Sequence, residues 1–444
     1  MDLGQRLEAV GDHARSESFE VFRQHLDPAW IETALKTTGT VSLRRRRLPA
    51  ESAVWTVIGM ALLRDRSIQE VVTHLGLALP AEDEPNSVTG SAIIQARDRL
   101  GEKPLAALFT LIANHWVNRS ADKHRWRGLG LYGVDGTTLR IPDTQKNEEA
   151  FGRPKTGRGR SGYPQLRLVA LMVLRSHELA SVAFGRYDDS EITLAESLWS
   201  KVPDKSLILV DRGFISYLVF HRIQSGGPER HWLTRAKKNL KWSMIKRLGP
   251  NDHLVEIPIN KSLRRKHPEM PQTIAARAIR YQRRGFRPQL LLTSLLDPLV
   301  YPAKEIVKLY HERWELELGF DEVKTHTLER QEALRTRTPE RVCQEIWGLA
   351  IGYNLVRLEM ERAAEKLRLP PTRISFRHSL MLVRTFLLVT AWASSPANLP
   401  RRLEDLHAEV ALLVLPERRR LRSYPRAVKI KMSNYALARR KRRG

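Results

Sequence analysis

The sequence predicts an α/β protein in which a strand-rich central region lies between two helical regions. Apolar runs typical of buried strands are concentrated between residues 129 and 300, and helical spacing of apolar residues dominates on either side. Helical stretches also separate the central strands, which favours α/β over all-β. We therefore expect a helical domain over 1–125, an α/β domain over 126–335 with a mostly β insertion at about 238–300, and C-terminal helices with a basic tail over 336–444.

The N-terminal region, up to about residue 116, carries its apolar residues three and four positions apart. The predicted helices are Val54–Leu63, Ile68–Leu75 and Ala92–Leu100. Thr89 or Ser91 is a suitable N-cap for the last of these, whose polar side is expected to carry Arg97 and Arg99. This pattern predicts either a helix-turn-helix DNA reader or a plain helical bundle with solvated arginines.

The central region begins after Arg127 with runs rich in aliphatic and β-branched residues. The predicted strands are LGLYGV, TTLRI, QLRLVALMVL, LASVAF and LILV, and the predicted helices between them are Thr193–Trp199 and Ile215–Ile223. Further strand-like runs, VEIPI, TIAARAI and QLLLTSL, alternate with basic loops between residues 243 and 296. These later runs indicate the β insertion.

Helical spacing returns near Ala303 and continues beyond Phe320, and two more helices are predicted at about Pro339–Leu367 and Ser375–Trp392. The last segment, from PERRRL onward, is rich in arginine and lysine and poor in apolar residues. It is expected to be a DNA-contacting tail, the alternative being a solvated charge run that aids solubility.

The charge balance points to a polyanionic partner. Lysine and arginine number 75 against 49 acidic residues, a net charge of +26, which favours nucleic acid. No window approaches the roughly 20 apolar residues that span a bilayer, and the N-terminus lacks the pattern of a signal peptide. A single cysteine, Cys343, rules out an internal disulfide framework, so we expect a protein of the reducing cytoplasm with no membrane partner. No GxxxxGK loop is present, which argues against ATP use.

Two aspartates directly follow predicted buried strands. Asp135 follows LGLYGV and Asp211 follows LILV, so both are expected at the carboxyl ends of adjacent strands, where α/β sheets often carry active-site groups. Each has a structural alternative. Asp135 and Gly136 form a strong hairpin signal, and Asp211 could cap the helix that follows it.

One face of the helix near residue 310 combines a phenol, a guanidinium, a carboxylate and an ammonium group. These belong to Tyr310, Arg313, Glu317 and Lys324, which at about 100° per residue fall within an arc of roughly 60°. Such a face suits a phosphodiester backbone, with a carboxylate for metal and cations for phosphates. The alternative is an exposed ion pair between Arg313 and Glu317 four residues apart, with Tyr310 packed by chance.

The segment YHERWELELGFDEVK resembles the Y-x2-R-x3-E-x6-K signature of the insertion-sequence-four family of bacterial DDE transposases. VDGTTL and DRGF match the contexts of the family's two aspartates, LRRRRLPAESAVWTVIGMALLRD and QARDRLG look like its N-terminal helical domain, and the resemblance spans nearly the whole chain. It implies an RNase H-like catalytic domain in which Asp135, Asp211 and Glu317 hold two Mg²⁺ or Mn²⁺ ions. It also implies a β-rich insertion in the 106 positions between Asp211 and Glu317.

The resemblance further implies cut-and-paste transposition, in which the protein binds terminal inverted repeats, cleaves them and joins the freed 3′ ends to target DNA. Arg212, Tyr310, Arg313 and Lys324 become candidate DNA-binding residues, and synapsis of two ends implies a homodimer on double-stranded DNA, associated with the nucleoid. Alternatives are an inactive transposase-derived DNA-binding regulator and a metal-dependent nuclease without strand transfer.

Relatives open the second strand through a DNA hairpin, helped by an aromatic side chain in the insertion, where this chain has Gln289. Trp232, Trp242 or Phe286 could replace it, although a tryptophan in RHWLTRAK is more typical of a core.

Two other segments have open roles. The loop FGRPKTGRGRSGYP could follow the DNA backbone through Arg153, Lys155, Arg158 and Arg160 or be a mobile surface loop, and YDDSE offers rival carboxylates, Asp188, Asp189 and Glu191, better suited to helix capping.

Overall fold

The N-terminal part of the chain is helical, as its apolar spacing predicts. The computed structural model describes residues 26–41, 47–78, 88–156, 159–237, 240–283, 287–329, 333–393 and 399–416. The N-terminal helices are α1 (Pro28–Thr37), α2 (Ala50–Leu62), α3 (Ile68–His74), α4 (Gly90–Leu100), α5 (Lys103–Ile112) and α6 (Asn118–Lys123), the last two joined by a π-helical turn. Thr89 caps α4, since its Oγ1 accepts from the backbone N of Ala92 at 3.3 Å.

Arg97 contradicts the expectation that α4 presents both its arginines on a polar side. Arg97 is only 1% exposed, and its Nε donates to Oε1 of Gln344 at 3.1 Å. Burial lowers the pKa of Arg97 to about 10. Arg99 is exposed as expected. Arg97 is therefore packed in the helical region rather than solvated, and the two alternatives for this region, a helix-turn-helix DNA reader and a plain helical bundle, stay predictions.

The central region forms one nine-stranded sheet, in the order β5-β4-β1-β6-β7-β11-β10-β9-β8. Its strands are β1 (Gly130–Arg140), β4 (Gln165–Val173), β5 (Leu179–Arg186), β6 (Ser206–Val210), β7 (Arg230–Arg235), β8 (Ser243–Gly249), β9 (Asp252–Pro258), β10 (Thr273–Tyr281) and β11 (Gln289–Thr293). The strands β2 (Lys155–Thr156) and β3 (Gly159–Arg160) form a separate ribbon. β1, β6 and β7 run parallel, and the other pairs are antiparallel. The insertion extends the main sheet through β11 and, in the part of it that the structure describes, forms no second sheet.

The prediction of two strands broken at Asp135 is wrong, because LGLYGV and TTLRI form the single strand β1. β1 pairs with β4 without interruption from Tyr132 to Arg140, and Asp135 lies opposite Ala170. A tight hairpin turn would need positive φ at Asp135 and Gly136, and neither has it. Asp135 is thus a mid-strand residue, although the parallel pairing of β1 with β6 ends just before it.

Helices cover the sheet and connect it to the N-terminal bundle. They are α7 (Gln145–Phe151), α8 (Glu191–Trp199), α9 (Tyr217–Ser225), α10 (Lys261–Lys266), α11 (Ala303–Tyr310), α12 (Trp314–Asp321), α13 (Pro339–Leu367), α14 (Phe376–Ala393) and α15 (Leu399–Ala411). The buried amide of Asn354 in α13 bonds both backbone groups of Leu179. On the other side of α13, Gly348 approaches so closely that a Cβ there would lie 2.7 Å from the carbonyl O of Val57. Bundle and sheet therefore share one apolar core.

The C-terminal prediction holds for α13 and α14, while α15 was not expected. The basic tail lies outside the described residues from 417 onward. In the part of the chain that the structure describes, no helix combines the length and apolarity needed to cross a membrane.

Candidate functional site

The pairing of β1 with β6 brings Asp135 and Asp211 side by side. The two strands are parallel, Val134 pairs with Val210, and each aspartate is the next residue. Neighbouring strands lie ~4.8 Å apart, so the two backbones are close at this point. The Oδ1 of Asp135 accepts from the backbone N of Gly136 at 2.8 Å. Asp211 also caps the short 3₁₀ turn Arg212–Phe214, as the structural alternative predicts, with Oδ2 accepting from Gly213 N at 3.3 Å.

The electrostatics of Asp135 reflect this crowding. Burial, helped by the carboxylates of Asp211 and Glu191, raises the pKa of Asp135 to about 6. The Gly136 hydrogen bond and Arg313 oppose this rise. The two strands thus bring together negative charge that a cation would stabilise.

The segment that carries Glu317, called the glutamate helix, is helical from Ala303 to Thr327. It is not the single regular α-helix that was assumed in placing Tyr310, Arg313, Glu317 and Lys324 within an arc of roughly 60°. α11 is followed by the 3₁₀ turn His311–Arg313, α12 by the π-helical turn Glu322–Thr327. These turns change the angle between successive residues, so ideal α-helical geometry does not place Lys324 relative to Glu317. α12 packs on β1 at Gly133, where a Cβ would lie 2.6 Å from Cδ1 of Leu316.

Arg313 lies between two of the three predicted acidic residues. Its Nη1 is 3.8 Å from Oδ1 of Asp211, and its Nη2 is 3.1 Å from Oε1 of Glu317. The i,i+4 pair with Glu317 therefore exists, but it is part of a larger set, because the same guanidinium also faces Asp211. Acids 106 positions apart in sequence converge on one cation.

The other predicted DNA-binding residues differ in exposure. Arg212 is exposed beside Asp211, and Lys324 is half-buried in the π-helical turn. Tyr310 is only 8% exposed, so this conformation gives it little surface for DNA. Burial raises the pKa of Tyr310, and Arg313 opposes the rise partly through a hydrogen bond. Tyr310 therefore remains a neutral phenol beside Arg313.

The acidic residues suit a divalent cation in their chemistry. Carboxylate oxygens are the ligands that Mg²⁺ and Mn²⁺ prefer, and one guanidinium already bridges Asp211 and Glu317. Among the described residues, no three acidic, histidine or cysteine side chains are yet grouped closely enough to enclose a metal ion. Arg313 would have to turn aside for Asp211 and Glu317 to act together on one.

Glu191 from the YDDSE segment lies nearer this site than its sequence suggested. Ser190 caps α8, so Glu191 lies in the first helical turn. Its carboxylate presses on Gly136, where a Cβ would lie 2.6 Å from Glu191 Cδ. Side chains alternate across a strand, so Gly136 marks the face of β1 opposite Asp135. No sequence pattern indicated this proximity.

The candidates for an aromatic base clamp separate clearly. Trp232 is fully buried, stacks on Phe220 with 3.9 Å between ring centroids, and donates from Nε1 to Gln224, so it is a core residue. Trp242 is 36% exposed at the start of β8, and Phe286 lies outside the described residues. Gln289 accepts a hydrogen bond from the Tyr281 hydroxyl at 3.0 Å.

In the glycine-rich loop, Arg153 forms ion pairs with Asp143 and Glu148. Arg158 lies outside the described residues, and the side chains of Lys155 and Arg160 are not described.

Two family models match the chain. The model described as insertion element 4 transposase N-terminal matches residues 16–110, and the transposase DDE domain matches residues 127–355. The transposase InsG for insertion sequence element IS4 of Escherichia coli strain K12 is 37% identical over 440 residues, covering 99% of this chain and 98% of InsG. InsZ of the same strain is 36% identical over 229 residues, covering 51% of this chain and 75% of InsZ. A cryo-EM structure of the piggyBac transposase synaptic complex with hairpin DNA is 12% identical, with a TM-score of 0.40, covering 90% of this chain and 86% of that one.

Proposed function

The chain belongs to the insertion-sequence-four family of DDE transposases, and from that premise we propose that Asp135, Asp211 and Glu317 are its catalytic metal ligands. A transposase of this family generally depends on divalent metal to cut and transfer DNA. The observation that carries the residue assignment is the convergence of Asp211 and Glu317 on Arg313, with Asp135 beside Asp211 on the next strand. The two aspartates on central strands and the glutamate on a later helix support an RNase H-like catalytic domain.

The three carboxylates would hold two Mg²⁺ or Mn²⁺ ions, which when bound supply activation of the attacking oxygen and stabilisation of the leaving oxygen. Arg313 keeps Asp211 and Glu317 together before DNA arrives and then offers its guanidinium to a phosphate. Arg212 and Lys324 neutralise neighbouring phosphates. Tyr310 orients Arg313 from the core.

The substrate that fits this chemistry is double-stranded DNA carrying the element's terminal inverted repeats, held by two copies of the chain. Water cleaves a strand at each end, and the freed 3′ hydroxyl attacks target DNA in line. A hairpin step would require an aromatic base clamp, and Trp242 is the exposed tryptophan of the insertion. Such a protein would act at the nucleoid in the cytoplasm.

A cleavage assay on DNA carrying both ends tests the assignment. We expect Mg²⁺- or Mn²⁺-dependent cleavage by the native chain, no cleavage by Asp211→Asn or Glu317→Gln, and end binding by all three. Asp188→Asn, which removes an exposed acid of the rival YDDSE segment, is the matched control and should cleave normally. Full activity of Glu317→Gln would refute the assignment. Cleavage without joined products in a donor-plus-target assay would identify a nuclease, and binding without cleavage a regulator.

A further inference from the structure

The rear face of the glutamate helix carries two acids that the proposed reaction does not use. Glu315 lies two residues before Glu317, about 200° from it around α12, and Glu322 begins the π-helical turn that follows. Both meet the turn that joins β4 to β5. His177 at this turn is 1% exposed and has the left-handed φ of +63°.

His177 binds both acids at once. Its Nε2 lies 2.9 Å from Oε2 of Glu315, and its Nδ1 lies 3.2 Å from Oε2 of Glu322. An imidazole that donates from both nitrogens is protonated. Burial alone would lower the pKa of His177, but Glu322 and Glu315 outweigh it and raise the pKa. One cation therefore spans two turns of the helix.

Helix α13 completes the enclosure of Glu322. The Tyr353 hydroxyl donates to Oε2 of Glu322 at 2.7 Å, and Nη1 of Arg357 lies 3.4 Å from its Oε1. Arg357 also donates from Nε to the carbonyl O of Ser176 at 2.6 Å, which joins α13 to the same turn. Burial would raise the pKa of Glu322, but Arg357 and His177 lower it to about 2. Breaking any of these contacts would leave a buried charge or donor without its partner, which is costly. The network therefore holds its side chains in fixed positions.

We propose that Glu322 is a positioning residue, held by His177, Tyr353 and Arg357, that fixes Glu317 relative to the two aspartates. The inference rests on the proposed function of Glu317. The turn that carries His177 follows β4, which is hydrogen-bonded along β1 beside Asp135. The enclosure therefore ties the helix of one acid to the strand of another. α12 needs such support because it has only eight residues between a 3₁₀ and a π-helical turn, and small displacements of a ligand impair a metal site.

The test compares Glu322→Gln and His177→Asn in the full-length protein. Asparagine tolerates the positive φ at position 177, so the second variant removes the bridge without backbone strain. We expect Mn²⁺ affinity, measured by calorimetry without DNA, to fall about 10- to 100-fold in both variants, as for other residues that support metal ligands.

Three further measurements separate positioning from other effects. Hydrogen exchange should increase in residues 314–321 of both variants. Cleavage should fall at limiting Mn²⁺ and recover at high Mn²⁺, with end binding unchanged. The double variant should be no worse than the poorer single variant, because both act through one bridge.

Glu345→Gln is the control for simple loss of stability. Glu345 is even more deeply buried than Glu322, accepting from Arg64 at 3.0 Å and from the backbone N of Thr336 at 3.1 Å, away from α12. It should lower the melting temperature and leave Mn²⁺ affinity unchanged. Equal loss of Mn²⁺ affinity in this control, or native Mn²⁺ affinity in His177→Asn, would overturn the proposal. If Glu317→Gln bound Mn²⁺ as tightly as the native chain, the proposed function itself would fail. In that case, faster hydrogen exchange confined to residues 314–321 in Glu322→Gln and His177→Asn would still show that the contacts of Glu322 hold α12 in place.

Discussion

At the scale of single residues, Arg313 is the most informative side chain of the site. Its guanidinium occupies the space between Asp211 and Glu317 and also lies 5.4 Å from the Trp314 ring centroid. A cation between two acids stabilises them, and it would compete with the proposed metal ions. Because guanidinium also binds phosphate strongly, we expect DNA to draw Arg313 away from the acids.

We predict that Arg313→Ala weakens binding of the element's ends and lowers the slope of log affinity against log salt concentration by about 1, the contribution of one phosphate contact. Gel-shift titrations between roughly 50 and 200 mM KCl would provide the measurement. Arg313→Lys is the matched variant. It keeps the charge and so the slope, but it loses the bidentate fork and should cleave more slowly. An unchanged slope in Arg313→Ala would contradict the contact.

The sequence did not indicate the burial of two residues, Arg97 and Tyr310. Arg97 reads as a solvated arginine because its neighbours are polar, yet its partner Gln344 is 247 positions away. Tyr310 was expected on a DNA face and is buried beside Arg313. Local spacing indicates which side of a helix a residue lies on, but it does not show what packs against that side.

At the scale of elements, α12 is held against β1 by close contact. At Gly133 an added Cβ would lie 2.6 Å from Leu316 Cδ1 and 2.9 Å from Leu174 Cδ2, so branched side chains close on it from two directions. We predict that Gly133→Ala destabilises the fold by roughly 1–3 kcal/mol through overpacking. It should also reduce cleavage more than end binding, because Leu316 directly precedes Glu317. Gly90→Ala, where nothing lies within 4 Å, is the control and should retain full stability and cleavage. Equal behaviour of the two variants in thermal melts and cleavage assays would contradict this packing account.

The turn between β4 and β5 makes stability depend on pH. Burial, together with the nearby carboxylate of Glu361, raises the pKa of Glu178 to about 8. The folded chain therefore keeps a proton that the unfolded chain releases near its ordinary value of 4.5, so this contribution to stability is complete below pH 4.5 and is lost as pH rises towards 8. We predict that Glu178→Gln, which stays neutral, melts at least roughly 2 °C higher relative to the native chain at pH 8 than at pH 5. Melting curves across that range are the measurement, and a difference that is constant with pH would refute it.

The elements themselves were largely predictable, whereas their interruptions were not. The helix at 339–367 matches its prediction because length and apolar spacing define it. The strand β1 continues through Asp135 and Gly136 because pairing with β4 outweighs their turn preference. The 3₁₀ and π-helical turns around α12 have no signature in the sequence, since they arise from packing against the sheet and α13.

At the scale of the whole molecule, the sequence indicated an α/β centre between helical regions but not how the parts join. The strand order depends on pairings across long loops, such as β7 with β11, which local patterns do not encode. The three acids were predicted as a set from their motifs, while the meeting of Asp211 and Glu317 at Arg313 and the enclosure of Glu322 depend on that strand order. The joint between the N-terminal helices and the sheet was likewise hidden, because its polar contacts are formed by residues far apart in sequence.

Arg335 forms several of the polar contacts that join the N-terminal helices to α13. Its guanidinium donates to the carbonyl oxygens of Met60, Arg64 and Arg66 at 2.6, 3.2 and 2.7 Å, at and just beyond the end of α2, and its backbone N donates to Glu345 in α13. We predict that Arg335→Ala destabilises the joint by about 2–4 kcal/mol, because several carbonyls lose a charged donor.

The loss of stability in Arg335→Ala should affect one part of the molecule before the other. The N-terminal helices would separate from α13 before the sheet unfolds, so calorimetry should show an earlier first transition and hydrogen exchange should rise in α2 before β1. Arg368→Ala, at an exposed arginine, is the control and should melt like the native chain. A single, unshifted transition in Arg335→Ala would mean that the shared apolar core and the remaining polar contacts join the bundle to the sheet without help from Arg335. An earlier transition would instead mean that Arg335 helps to hold α2 on α13 and the sheet.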